Sequence, residues 1–102
     1  MYLIKIPKSV KVGGFSYKIR TSKRIDDELK DTHRRGSHSE LLREIDIASG
    51  SLPQEESCTL IHEILHAVDT VYLNGALEEG QVTSLSNGIH QVLEQLKVRF
   101  VL

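Results

Sequence analysis

The stretch CTLIHEILHAVD, residues 58–69, decides the fold because its apolar residues recur at the spacing of an α-helix. Pro53 and the glutamates after it are typical of a first helical turn, and Asn74-Gly75 is typical of a helix end. The sequence therefore predicts a helix from Pro53 to about Leu73. Its core-facing side is predicted to be one apolar stripe, formed by Ile61, Ile64, Leu65, Val68, Val71 and Tyr72.

Two histidines, His62 and His66, lie one turn apart on the flank of this stripe. At about 40° apart, their imidazoles can reach one ion at ~2.0 Å, as in helical zinc sites. Glu63 lies too far round the helix to be a third ligand but can reach a water bound to the metal. Zinc lowers the pKa of such a water toward ~7, and a nearby carboxylate can accept its proton. The spacing predicts metal-assisted hydrolysis of an amide. The alternative, two surface histidines without a metal, fits poorly with a position beside the core stripe.

A catalytic zinc site needs a third protein ligand and one open position. Four downstream residues are candidates: Glu78, Glu79, Thr83 and His90. Glu78 and Glu79 begin the last predicted helix, so an antiparallel return of the chain brings them opposite the ion. Idealised helical phase favours Glu78, whereas His90 lies about three turns further along that helix.

Two further polar residues flank the histidine pair along the same helix. Cys58 comes one turn before His62, but three ligands on one straight helical face cannot surround an ion. Cys58 is therefore predicted to pack in the core. Asp69, one turn after the second histidine, is positioned to hydrogen-bond a ligand imidazole. Its alternative role is that of a solvated acid near the helix end.

The N-terminal segment LIKIPKSVKVGGFSYKIRT, residues 3–21, alternates apolar and polar residues. This alternation predicts β-strands, and Gly13-Gly14 permits a tight reversal between them. Pro7 interrupts the alternation and indicates an edge strand or a bulge.

The rest of the chain completes an α+β fold. A short helix is predicted over Ile25–Lys30, followed by a loop around Gly36, and ELLREIDIAS (residues 40–49) is predicted to be a third strand with one polar face. A last helix is predicted over Glu79–Lys97, and Gly88 within it indicates close approach of another helix. Its apolar stripe consists of Val82, Leu85, Ile89, Val92, Leu93 and Leu96. We therefore expect a small, about three-stranded sheet with two main helices packed on one face.

Length and composition restrict the classes of protein to which this chain can belong. The 102 residues suffice for one domain, residues 1–102. Thirteen basic and fourteen acidic residues give a net charge of −1. The chain therefore lacks the excess of positive charge that is typical of nucleic-acid-binding proteins. The single cysteine excludes an internal disulfide and favours a reducing compartment. The first residues lack the apolar run of a signal peptide, and no segment approaches the ~20 apolar residues of a membrane span. We expect a soluble, cytoplasmic protein.

The segment TLIHEILHAVD, followed by EEGQVTSLSNGIHQVL, resembles the minimal gluzincin metallopeptidases, including similar proteins encoded by phages and prophages. The likeness extends over nearly the whole chain. It implies a Zn²⁺ cofactor held by His62, His66 and Glu79, with Glu63 as general base and acid, and a peptide or protein substrate. Glu79 is selected because QVTSL aligns with the family's acidic-x-x-Val-x-x-Leu pattern, and Glu78 is the competing choice.

The resemblance implies two further features of a substrate cleft. The strand before the zinc helix, REIDIAS (residues 43–49), would form its upper rim and bind substrate as an added strand. Larger gluzincins carry an extra histidine or tyrosine that stabilises the oxyanion, for which Tyr72 and His90 are the candidates here. A third hypothesis concerns the tail KVRFVL, residues 97–102, which either lies in the cleft and makes the enzyme latent or continues the last helix and packs on the core.

Two functions from different classes follow. The leading prediction is a zinc-dependent metallopeptidase in which Glu63 activates the attacking water. The alternative is a non-catalytic, zinc-stabilised partner-binding domain of phage origin. Glu63 favours the enzyme, because a purely structural zinc site has no use for an acid at that position.

Overall fold

Six strands and three helices follow one another in a computed structural model that describes residues Met1–Leu102, and together they confirm the predicted α+β class. The helices are α1 (Lys23–Asp31), α2 (Pro53–Leu73) and α3 (Glu79–Gln95). The strands are β1 (Tyr2–Lys5), β2 (Ser9–Val12), β3 (Phe15–Arg20), β4 (Gly36–Ser39), β5 (Glu44–Ile47) and β6 (Val98–Val101). None of the helices is long and apolar enough to cross a membrane.

The main sheet has four strands in the order β2-β3-β5-β4, one more than predicted. Gly13 and Gly14, both with positive φ, turn β2 into β3, as expected for a two-residue hairpin. β3 pairs with β5 in parallel, and β4 pairs with β5 in antiparallel. The edge strands are therefore β2 and β4, and β4 forms where the sequence predicted a loop around Gly36. The prediction that residues 43–49 form the rim is wrong, because β5 is enclosed by neighbours on both sides.

The core lies between this sheet and α2. Ile45 and Ile47 of β5 are fully buried, while Glu44 and Asp46 on the opposite face bind Arg20 at 3.3 and 2.9 Å. This arrangement confirms the predicted polar face of the strand. The other buried members of the core cluster are Ile6, Val12, Tyr17, Leu60 and Ala67.

Helix α3 packs on α2 rather than on the main sheet, and most of its apolar stripe stays in solvent. Val82 and Ser86 are its buried residues. Space around Gly88 is open, so the predicted close helix approach at this glycine is wrong. Periodicity identifies the apolar side of a helix but not which part of that side a neighbour covers. The residues predicted to face the core but exposed by 41–63% are Leu85, Ile89, Val92 and Leu96.

The C-terminal tail forms β6, which pairs in parallel with β1 as a separate two-stranded sheet. Lys97 has a φ of 64° and turns the chain back after α3. Phe100 packs against the core, and its N–H donates to Ser57 Oγ at 3.0 Å. The tail does not line the cleft, so the first prediction for residues 97–102 is wrong. The alternative is wrong about a continued helix but right that the tail packs on the core. Its β-prone residues gain backbone hydrogen bonds to β1 instead.

Candidate metal centre

A cleft of about 600 Å³ lies over α2, between β4 on one side and α3 on the other. Gly36 allows β4 to lie close to the helix: a Cβ at this position would be 2.6 Å from Thr59 Cγ2 and 3.1 Å from Glu63 Cγ. Any larger residue would push the strand away from the carboxylate. The close packing of β4 therefore depends on this glycine.

The three predicted ligands meet at one side of this cleft. His62 Nε2 lies 2.9 Å from Glu79 Oε1, and His66 Nε2 lies 2.9 Å from Glu79 Oε2. The two Nε2 atoms are 3.1 Å apart. Ligands bound to tetrahedral zinc at 2.0–2.1 Å are separated by about 3.3 Å. Two imidazole nitrogens and a carboxylate at these separations fit a zinc ion with one position left open.

The other candidates for the third ligand lie elsewhere. Glu78 precedes α3 as its N-cap residue, and its N–H donates to Gln81 Oε1. Helical phase therefore gave the wrong residue: the way α3 crosses α2 brings Glu79 rather than Glu78 to the two histidines. Thr83 is exposed, and its carbonyl accepts a hydrogen bond from Ser86. His90 also lines the cleft, but its ring nitrogens do not join the ligand atoms of His62, His66 and Glu79.

Ser86 orients one of the candidate ligands. Its Oγ donates to the Thr83 carbonyl at 3.0 Å and lies 3.3 Å from His62 Nδ1. Because the hydroxyl proton is used by the carbonyl, Oγ accepts from Nδ1–H, and the Nε2 lone pair of His62 then faces Glu79. The sequence feature that could have identified Ser86 is its position, one helical turn after the core residue Val82.

Asp69 does not have the predicted role of orienting a ligand imidazole. It is buried, and Oδ1 accepts from the N–H of Leu77 at 3.1 Å. Its carbonyl oxygen accepts from Asn74 and Gly75 at the end of α2. Asp69 therefore holds the turn that brings α3 back across α2, and so it positions Glu79 only through the backbone.

His38 of β4 is a site residue that the sequence prediction missed. Its ring stacks on His66, with centroids 4.7 Å apart and planes 8° from parallel, and its Nδ1 lies 3.8 Å from Glu63 Oε1. Glu63 itself is 6% exposed. His38, Glu63 and His66 form a second group of possible ligands, with ligand atoms within 4.8 Å. The separations of about 3 Å favour the group that contains Glu79 as the metal site.

Burial and nearby charges act on the protonation of His66. Burial lowers the pKa of this imidazole, while the carboxylates of Glu63 and Glu79 act in the opposite direction and His38 and His62 lower it further. A neutral imidazole is the form that binds a metal. The local environment thus favours the ligand form of this side chain at neutral pH.

Two other candidates lie outside their predicted positions. Cys58 is half-buried in the cleft rather than in the core, and its Sγ lies 3.4 Å from Asn87 Oδ1. Burial raises the pKa of this thiol, and Arg35 opposes the shift. Tyr72 is exposed outside the cleft, with its ring beside Gly13. It cannot stabilise an oxyanion from that position.

Comparisons of this chain with models of protein families, with curated proteins and with solved structures gave no match.

Proposed function

We propose that this chain is a zinc-dependent metallopeptidase with His62, His66 and Glu79 as ligands. The observation that carries the proposal is the convergence of these three side chains, at 2.9–3.1 Å, beside the buried carboxylate of Glu63. A zinc ion held there would polarise a substrate carbonyl and lower the pKa of a coordinated water toward ~7. The single cysteine favours a reducing compartment, and we propose the cytoplasm.

Glu63 is the residue suited to move protons. Its carboxylate follows the first ligand in sequence and faces the cleft under β4. It accepts the proton of the attacking water and then delivers it to the leaving amine. His38 covers this carboxylate from the strand side and restricts its orientation, since its ring is fixed by stacking on His66.

The free edge of β4 supports binding of an extended peptide. The N–H of Ala48 donates to the carbonyl of Arg35 at 2.8 Å. Arg35 and Ala48 are therefore a hydrogen-bonded pair of the antiparallel β4–β5 ladder. Because such pairs alternate, the backbone groups of Gly36 and His38 point away from β5. They are available to pair with a substrate strand along the cleft.

A second candidate function is a non-catalytic, zinc-stabilised domain that binds a partner. The exposed apolar side of α3 favours it, because contiguous apolar surface often marks an interaction site. Glu63 favours the enzyme, since a structural site does not need a carboxylate beside its ligands. In this second proposal the domain originates from a phage.

The test compares zinc-loaded protein with Glu63→Gln in hydrolysis of a generic unfolded protein. Glutamine keeps the shape but cannot accept a proton, so turnover should fall by ~10²-fold or more at unchanged zinc content. Glu40→Gln, in the exposed turn after β4, is the matched control and should remain active. Equal zinc binding without cleavage by the native protein would overturn the peptidase and favour the partner-binding domain.

A further inference from the structure

The cleft extends from the candidate ligands toward the first turns of α2. His38 stacks on His66, whereas Gly36 lies over Thr59, so β4 starts at the end of the cleft away from the metal ligands. Arg34 and Arg35 precede this strand and line that end. No aliphatic or aromatic hydrocarbon side chain lines the cleft. Recognition at this end therefore depends on charge and hydrogen bonds rather than on an apolar pocket.

The two arginines differ in their partners. Arg35 Nη1 lies 3.3 Å from Glu55 Oε1. Arg34 has no carboxylate within 4.0 Å, so it is the one arginine of the cleft without an ion pair. Its backbone is fixed, because its N–H donates to the carbonyl of the buried Leu29 at 2.8 Å at the end of α1. An unpaired guanidinium on a fixed backbone is suited to bind an anion.

The strand direction determines which part of a peptide meets Arg34. Antiparallel pairing is the more stable arrangement for an added strand. A peptide antiparallel to β4 runs from His38 toward Gly36, so its C-terminal side points to Arg34. Arg34 precedes His38 by four residues, which corresponds to about 13 Å of extended chain.

We propose that Arg34 binds a carboxylate on the C-terminal side of the scissile bond. The substrates are then peptides with a negative charge within about four residues after that bond. The charge is either the C-terminal carboxylate or the side chain of Asp or Glu. This inference rests on the proposed peptidase function, because it takes the position of the scissile bond from the ligands and Glu63.

Binding to zinc-loaded Glu63→Gln protein tests the inference without turnover. Three fluorescent peptides of equal length serve as probes: one with Glu and an amidated end, one with Gln and an amidated end, and one with Gln and a free carboxylate. At low salt, at least one peptide with a carboxylate should bind about 5- to 10-fold more tightly than the neutral peptide, and salt should reduce the difference. Comparison of the two charged peptides identifies the source of the carboxylate.

Substitution of Arg34 provides the second arm of the test. Arg34→Gln should abolish the preference, and Arg34→Glu should invert it toward a peptide with Lys in place of Glu. Arg24→Gln, which removes an exposed arginine of α1 outside the cleft, should leave the preference unchanged. A preference that is absent, or that survives Arg34→Gln, would overturn the inference, as would failure of all three peptides to bind.

The inference and the proposed function fail differently. If the native protein cleaves neutral and acidic peptides equally, the peptidase stands and the role of Arg34 is rejected. If the preference depends on Arg34 but no peptide or unfolded protein is cleaved, Arg34 remains a carboxylate site and the peptidase is rejected.

Discussion

Ser86 and His62 face each other across the contact between α3 and α2, with Oγ and Nδ1 3.3 Å apart. Ser86 is 1% exposed, so this hydrogen bond is shielded from water. The contact links the packing of the two helices to the orientation of a candidate ligand. A change at Ser86 should therefore affect the proposed binding of zinc more than the fold.

Ser86→Ala should weaken zinc binding by about 10-fold or more, because the imidazole loses the group that holds its tautomer and ring orientation. Competition against a chromophoric chelator measures the affinity. Ser84→Ala, an exposed position on the same helix, should bind zinc like the native chain. An unchanged affinity in Ser86→Ala would show that Ser86 has no effect on the site.

His38→Ala should lower kcat by about 10-fold, because the carboxylate of Glu63 loses its polar contact with His38 Nδ1, which lies 3.8 Å from Oε1. His38→Phe keeps a ring over His66 but lacks Nδ1, and it should lose a similar factor at unchanged zinc content. Steady-state kinetics with one peptide measures both variants, with His33→Asn as an exposed control. Full activity of His38→Phe would reduce the role of His38 to packing.

Two valines on α3 provide a matched test of its packing. Val82 is fully buried and Val92 is 54% exposed. Val82→Ala should lower the free energy of unfolding by about 2 kcal/mol, and Val92→Ala by less than about 0.5 kcal/mol. Urea unfolding measures both. Equal losses would mean that the apolar side of α3 is covered, for example by a second chain.

The ion pair between Glu94 and Arg99 predicts a pH dependence of stability. The hydrogen bonds from Arg99, at 2.6 and 3.0 Å, lower the pKa of Glu94 below its ordinary value of 4.5. A lowered pKa in the folded state stabilises the protein above pH 4.5, and this contribution is lost as the pH falls through the folded-state pKa.

Glu94→Gln should therefore have a lower Tm than the native chain at pH 7, and the difference should disappear in acid. Thermal unfolding followed by circular dichroism measures this, and Glu40→Gln matches the change in charge. A difference in Tm that is constant from pH 7 to pH 3 would show that ionisation of Glu94 does not contribute.

Local signals predicted both ends of α2 correctly, although Tyr72, which was predicted to face the core, is exposed. Pro53, the apolar periodicity and Asn74 each act within a few residues of the chain, so no tertiary information was needed. The hairpin at Gly13-Gly14 was predictable for the same reason. The histidine pair was predictable once the helix was predicted, because a spacing of four residues places both histidines on the same flank of a helix.

The missed features depend on contacts between distant segments. β4 contributes Gly36 and His38 toward α2 and therefore lacks the apolar alternation of a core strand. β6 exists because β1, at the other end of the chain, offers a parallel partner. Glu79 was not missed, but it was selected by the family pattern: its position beside His62 and His66 depends on how α3 crosses α2, which helical phase alone could not predict.

The most direct measurement of the central claim is the zinc content of two neighbouring variants. Glu79 reaches both imidazoles, whereas Glu78 caps α3 one residue earlier. After dialysis against a weak chelator, the native chain and Glu78→Gln should each retain one zinc per chain, and Glu79→Gln should lose it, because an uncharged amide is a poor zinc ligand. Loss of zinc from Glu78→Gln alone, or a native chain that retains none, would contradict the proposed metal centre.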